Sequence, residues 1–293
     1  DFDPVVPRNL RLEVPERTLA DGTVRVPVDL DAVRDAARRL LDEGAVKEEQ
    51  VDRMCRNILQ TTIAAGFCDR PLQDDSYVEK IPGHREVALQ AAREGIVLLK
   101  NRENRLPLDP AGSGVILLTG SFTETNPAGG GSSTVEGYDA VTMRQALEDV
   151  YGDRLVYRPF PTDIELRVAD AVIQSIGTVD SEGWDRSFDL PPEEEAKVRR
   201  AVALNRNTIV VVNSGSGINM SAWNDDAAAI LYAWYPGDVG NQALAEIIAG
   251  KVNPSGKLPI SIERRFEDSP GWGYIPENEA LYHGWGPDGR FDL

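Results

Sequence analysis

The apolar positions change their period along the chain. Up to about Val28 the segment is polar, rich in proline and valine, and has no sustained period. Two helical patterns follow. Leu30, Val33, Ala37, Leu40 and Leu41 share one face and Gly44 supplies a stop; Val51, Met54, Cys55, Ile58, Leu59 and Ile63 share the next face, which Gly66 ends. Residues 71–83 are polar and turn-rich and read as a linker. Beyond them a helix carrying Val87, Ala88, Ala91 and Ala92 leads through Gly95 into residues 96–100, a continuous apolar run of the kind presented by a strand buried on both faces. Further strands are predicted at 115–118, 155–157, 171–173, 208–212 and 229–232, and helices at 142–150, 192–204 and 241–249. Glu193, Glu194 and Glu195 fall in a predicted first helical turn, where negative charge suits the positive end of the helix dipole. Strands alternating with helices predict a three-layer α/β sandwich with a mostly parallel sheet.

Composition narrows the function. The 293 residues carry 31 Lys and Arg against 48 Asp and Glu, a net charge of −17. Such a chain is repelled by phosphate backbones, so nucleic acid is not an expected partner. No apolar run approaches the roughly 20 residues that cross a bilayer, and no membrane partner is expected. Cys55 and Cys68 make no disulfide framework and have no metal-ligand spacing; beside an apolar helical pattern they read as buried, reduced thiols. With only His84 and His283, a His-rich metal site or a Ser–His nucleophile pair is not expected, and no cofactor is called for. The opening Asp1-Phe2-Asp3-Pro4 has no initiator Met and no leader pattern. It reads as the interior of a longer chain and leaves the compartment undetermined.

In open parallel sheets, sites form in loops beyond the C-terminal ends of strands. Four loops qualify. Residues 126–133 (Asn-Pro-Ala-Gly-Gly-Gly-Ser-Ser) allow close backbone approach to a ligand and offer two hydroxyls, yet complete neither a phosphate loop nor a dinucleotide fingerprint. Residues 178–186 (Thr-Val-Asp-Ser-Glu-Gly-Trp-Asp-Arg) concentrate three carboxylates, an Arg and a Trp. A carboxyl beside a Trp is partly desolvated, which raises its pKa and suits a general acid, and the Trp face suits a sugar ring. Asp185 and Arg186 form a neighbouring pair able to brace this loop. Asn213-Ser214-Gly215-Ser216-Gly217 does not complete the Gly-x-Ser-x-Gly pattern of a nucleophile elbow. In Trp234-Tyr235-Pro236-Gly237 the aromatic rings read as packing residues.

Taken in order, these motifs resemble the C-terminal portion of glycoside hydrolase family 3. The matching stretches are His84-Arg85 with Ala88, Ala91 and Ala92; Gly95 to Asn101 with Leu106-Pro107-Leu108; and Gly129-Gly130-Gly131-Ser132-Ser133. Glu182-Gly183-Trp184-Asp185-Arg186 with Leu190-Pro191, Ala233-Trp234-Tyr235-Pro236-Gly237, and Asn253-Pro254-Ser255-Gly256-Lys257-Leu258-Pro259 complete the set. The resemblance implies a retaining β-glycosidase acting on terminal β-glucosides or β-xylosides, with an oligosaccharide or an aryl or alkyl β-glycoside as substrate. It places the acid/base on Glu182 and the aglycone border on the Gly/Ser loop, where this chain has Ser132 and Ser133 in place of the Trp of some members. Ser132, Ser133, Trp184 and Arg186 are the candidate substrate-binding residues.

The resemblance also assigns residues 1–70 to the end of a preceding (β/α)8 barrel and 84–270 to the sandwich domain, on either side of the linker at 71–83; residues 271–293 depart from the family pattern and read as a C-terminal tail, with no fibronectin-like module expected. The family's nucleophile, an Asp in a Ser-Asp-Trp motif of the barrel, has no counterpart here, since Ser221-Ala222-Trp223 lacks the Asp. The expected partner is therefore a barrel domain or second chain carrying that nucleophile; a homodimer stays open. Two alternatives remain at this point, a non-catalytic carbohydrate-binding or assembly module and a flavodoxin-like ligand-binding domain, the latter weakened by the missing phosphate loop.

Overall fold

The computed structural model describes residues 17–18, 24–25, 30–70, 75–135, 137, 139–181 and 186–269, with residues 17, 18, 24, 25, 30, 32 and 133 described by backbone alone. The chain divides into two compact units, Asp1–Tyr77 and Val78–Leu293. The predicted tail at 271–293 lies outside the described residues.

In the first unit, β1 (Arg17–Thr18) pairs antiparallel with β2 (Val24–Arg25), and two helices follow, α1 (Leu30–Asp42) and α2 (Glu48–Ala64). Both end close to the glycines that predict their stops. The apolar stripe of α2 is uncovered: Met54, Ile58, Leu59 and Ile63 are 56–65% exposed and no residue of this helix is buried. The expectation of buried thiols fails for the same reason. Cys55 and Cys68 are both exposed, Cys55 lying on a helix none of whose residues is buried.

A short 3-10 segment, Asp75–Lys80, precedes α3 (Ile81–Gly95), the first α-helix of the second unit. Helix therefore replaces the last part of the stretch read as linker. Pro82 fits the first turn of a helix, where its missing N–H costs nothing. The strands are β3 (Val97–Asn101), β4 (Ile116–Gly120), β5 (Leu155–Tyr157), β6 (Ala171–Gly177), β7 (Thr208–Asn213) and β8 (Ala229–Tyr232). They form one sheet in the order β3-β8-β7-β6-β4-β5. All neighbours pair in parallel except β3, which runs antiparallel to β8. The apolar run at 96–100 is thus an edge strand, half-buried beyond Val97, and not a strand enclosed on both faces. Its apolar residues cover the sheet margin, a use that composition alone does not distinguish from a central strand.

Alternation along the strands builds two apolar layers. Ile116, Leu118, Ile173, Ile209, Val211, Ala229 and Leu231 point to one face and pack with Leu89 of α3 and with α4 (Met143–Tyr151) and α7 (Gly240–Ile248). Leu117 and Val172 point to the other face and meet Leu166 of α5 (Asp163–Val168) and Ala201 of α6 (Pro192–Leu204). Val210, Val212, Ile230 and Tyr232 share that second face with Val198 and Val202 of α6. This is the predicted three-layer α/β arrangement. Helix α5 was not predicted, because six residues are too few to show a period; its signal is the cap at Thr162, whose Oγ1 accepts from the Glu165 N–H at 3.2 Å while its N–H donates to the Glu165 carboxylate at 2.8 Å.

These burials predict opposite outcomes for two apolar helix positions. Leu147→Ala, at a fully buried site on α4, lowers the unfolding free energy by about 2–5 kcal/mol. Ile58→Gln, on the open stripe of α2, changes it by less than about 0.5 kcal/mol. Urea titrations followed by fluorescence of the buried Trp223 measure the first, and far-ultraviolet circular dichroism follows both.

Candidate active site

Because β4, β6, β7 and β8 are parallel, their C-terminal ends lie along one edge of the sheet, and the loops that follow them meet there. The loop after β4 is tied at its foot. Asn126 Nδ2 donates to the carbonyls of Val141 and Gly237, each at 3.1 Å, and Asn126 Oδ1 accepts from Asn241 Nδ2 at 2.9 Å. Farther along, Gly130 forms an isolated parallel bridge with Ser181, and the Gly130 N–H donates to the Asp180 carbonyl at 2.7 Å. A Cβ at Gly130 would stand 3.0 Å from the Ser181 Cβ, so glycine permits this approach. The backbone then turns through a 3-10 segment, Gly131–Ser133, on which Ser132 is exposed. The Gly/Ser loop and the acidic loop, read separately in the sequence, are thereby joined.

The acidic loop is held from three strands at once. The Arg186 guanidinium pairs through Nε with Asp180 Oδ1. Its Nη1 donates to the Ser187 carbonyl at 2.8 Å, and its Nη2 donates to Ser216 Oγ at 2.7 Å, the Gly217 carbonyl at 2.9 Å and Ser214 Oγ at 3.2 Å. The other carboxylate oxygen of Asp180 accepts from the Gly215 N–H at 2.7 Å and from the Tyr235 hydroxyl at 2.9 Å. That hydroxyl also accepts from the Asp180 N–H at 2.7 Å. Asp180 and Arg186 belong to the loop after β6, Ser214 to Gly217 to the loop after β7, and Tyr235 to the loop after β8. Gly215 is needed for the contact, since a Cβ there would lie 2.8 Å from Asp180 Oδ2.

Arg186 closes on Asp180 across the loop, whereas Asp185, its neighbour in sequence, lies outside the described residues. Glu182 and Trp184 also lie outside them, as does the side chain of Ser133. Sequence reading passed over Ser214, Ser216 and Tyr235 as partners. In the sequence Ser214 and Ser216 stand in an incomplete nucleophile motif and Tyr235 reads as a packing aromatic; the available signal is their common place after the ends of parallel strands.

The electrostatics assign a role to Asp180. Burial by itself would raise its pKa, but hydrogen bonds from Arg186 and Tyr235, the Arg186 charge and the Gly215 N–H outweigh burial and hold the carboxyl below its ordinary range. Asp180 thus favours its ionised form, held by the donors around it. The Tyr235 hydroxyl is pushed up by burial and by the adjacent carboxylate, so it stays a neutral donor. Tyr232, beneath the same loops, is pushed up to about 12 by burial. Among the described residues, no group of three His, Cys, Asp or Glu side chains is arranged to hold a metal ion.

A carboxyl held below its ordinary pKa in the folded state contributes stability above the unfolded pKa, near 4, and loses it as the pH falls through the folded value. The melting-temperature gap between the native chain and Asp180→Asn is therefore expected to be widest near neutral pH and to narrow below about pH 4. Thermal melts across pH 2.5 to 7 measure it, and a gap that widens on acidification contradicts the assignment.

The sequence pattern of the glycosyl hydrolase family 3 C-terminal domain matches residues 96–286. An exo-α-(1→6)-L-arabinopyranosidase of Bifidobacterium longum is 32% identical over 279 residues, covering 83% of this chain and 36% of the relative. A probable β-D-xylosidase of Arabidopsis thaliana is 28% identical over 276 residues, covering 84% of this chain and 35% of the relative. The crystal structure of a β-glucosidase from Bifidobacterium adolescentis superposes with a TM-score of 0.70 at 28% identity, covering 87% of this chain and 39% of that one. The chain therefore spans a little over a third of the length of each of these three proteins.

Proposed function

The chain belongs to glycoside hydrolase family 3, whose C-terminal domain it carries, and from that premise we propose that it supplies the proton-donor half of a retaining glycosidase active site. Glu182 is the acid/base. Ser132 and Ser133 border the aglycone side, and Trp184 offers a face to the sugar or its leaving group. The observation that carries this reading is the closure of the loop after β6. Asp180 and Arg186, on either side of residues 182–185, are joined to each other, and Ser181 is bridged to the Gly/Ser loop, at the edge of the sheet where ligands bind in open parallel folds.

The chemistry runs in two stages. A nucleophilic carboxylate attacks the anomeric carbon while Glu182 gives its proton to the departing oxygen. Glu182, now ionised, takes a proton from water as that water displaces the nucleophile, and the configuration of the substrate is retained. The two carboxyl groups must stand about 5–5.5 Å apart. On this reading residues 1–70 are the end of a (β/α)8 barrel, and the nucleophile Asp belongs to the barrel itself, as a further domain or chain. Glucosides and xylosides are the substrate class. The relatives' names span arabinopyranoside, xyloside and glucoside, which fits a choice of sugar made mainly by the barrel.

In the complete enzyme, Glu182→Gly is expected to lower kcat/KM for an alkyl or phenyl glycoside by about 10²–10⁴-fold. Azide should restore turnover of an activated aryl glycoside and yield a glycosyl azide with the substrate's configuration. Unimpaired hydrolysis of glycosides with poor leaving groups overturns the assignment.

A further inference from the structure

We propose that Asp180, Arg186 and Tyr235 form a clasp that positions the proton donor, with Arg186 acting through the loop and not on the substrate. The inference rests on the reading of Glu182 as that donor and concerns what holds it in register.

The clasp is anchored on both sides of the donor. Asp180 precedes residues 182–185 and Arg186 follows them, and their ion pair brings the two ends of the stretch together. Closing a loop this short removes most of the freedom its ends would otherwise have. Tyr235 grips Asp180 twice, accepting from its backbone N–H at 2.7 Å and donating to its carboxylate at 2.9 Å, so main chain and side chain are fixed by one hydroxyl. Arg186 reaches the loop after β7 through three acceptors on Nη2. Its Nε, one Nη1 hydrogen and both Nη2 hydrogens are thus used on protein partners among the described residues, which leaves little of its fork for a sugar. The side chains of Asp180 and Arg186 are 24% and 22% exposed, buried enough that breaking either partner leaves a charge poorly solvated.

A proton donor works only within hydrogen-bond reach of the leaving oxygen, about 2.6–3.2 Å, and a displacement of 1 Å costs about 10²-fold in rate. A loosened clasp should therefore impair the step that needs a proton and spare the step that does not. The test compares leaving groups in the complete enzyme. Asp180→Asn keeps the shape and removes the charge; Tyr235→Phe removes a single oxygen. For each, kcat/KM is measured with a phenyl glycoside, whose departure needs protonation, and with the 2,4-dinitrophenyl glycoside, whose departure does not. The ratio of the two is expected to shift against the phenyl glycoside by about 10²-fold for Asp180→Asn and by a smaller factor in the same direction for Tyr235→Phe.

Equal losses on both substrates overturn the clasp, since a role confined to stability lowers the two together. Should Asp180→Asn melt below the assay temperature, Tyr235→Phe carries the comparison. Glu182→Gly measured in parallel separates the two claims. If it shifts the ratio and the clasp variants do not, the positioning role fails while the donor stands. If it leaves the ratio unchanged, the donor assignment fails and the clasp falls with it.

Discussion

The parallel pairing of β4, β6, β7 and β8 is the constraint on which the site depends. It sends the loops after these strands to one edge of the sheet, so that residues more than fifty positions apart meet there. The sheet is the rigid part. Its central strands are fully buried between helices on both faces, so shifting one strand end against another would disturb both apolar layers. What the sheet does not fix is the course of the loops, and there the ion pair of Asp180 with Arg186 takes over. It is drawn from the loop after β6, seated on Gly215 and Ser216 after β7, and locked by Tyr235 after β8.

The chemistry follows from separating charge states within one small region. A retaining glycosidase needs one carboxyl protonated and one ionised at the start of the cycle. Asp180, wrapped in donors, has its carboxyl held below the ordinary range, which suits it to bracing the loop. An acidic protein with few cysteines and histidines has little besides carboxylates to do such chemistry with. The place of this loop beyond the ends of parallel strands and the family relationship support the proposed reading.

Much of this was legible in the sequence, and the exceptions have physical causes. The long apolar runs of β7 and β8 and the acidic first turn of α6 announce themselves, because each follows from burial or dipole within a few residues. Strand β6 reads short, since Gln174 and Ser175 interrupt its apolar run although both are buried in the sheet. Strand β3 reads as central, since apolarity does not distinguish an edge that is half-covered from one enclosed on both sides. The candidate loops were found from their places after strands. Their connections were not, because Arg186 closes on Asp180 six residues back, and three of its acceptors, Ser214, Ser216 and Gly217, come from a loop 28 or more residues away. Such contacts are consequences of topology and leave no local signature.

The most direct measurement on the central claim is affinity labelling of the proton donor. A bromoacetyl glycosylamine places an electrophile where the leaving oxygen would lie, and the carboxyl standing there is alkylated. The complete enzyme is treated with glucosyl and xylosyl forms of this reagent, with and without competing substrate, and the modified peptide is identified by mass spectrometry. The account predicts that the label sits on Glu182 and that substrate protects it. A substrate-protected label on any other residue, with Glu182 unmodified, would contradict it.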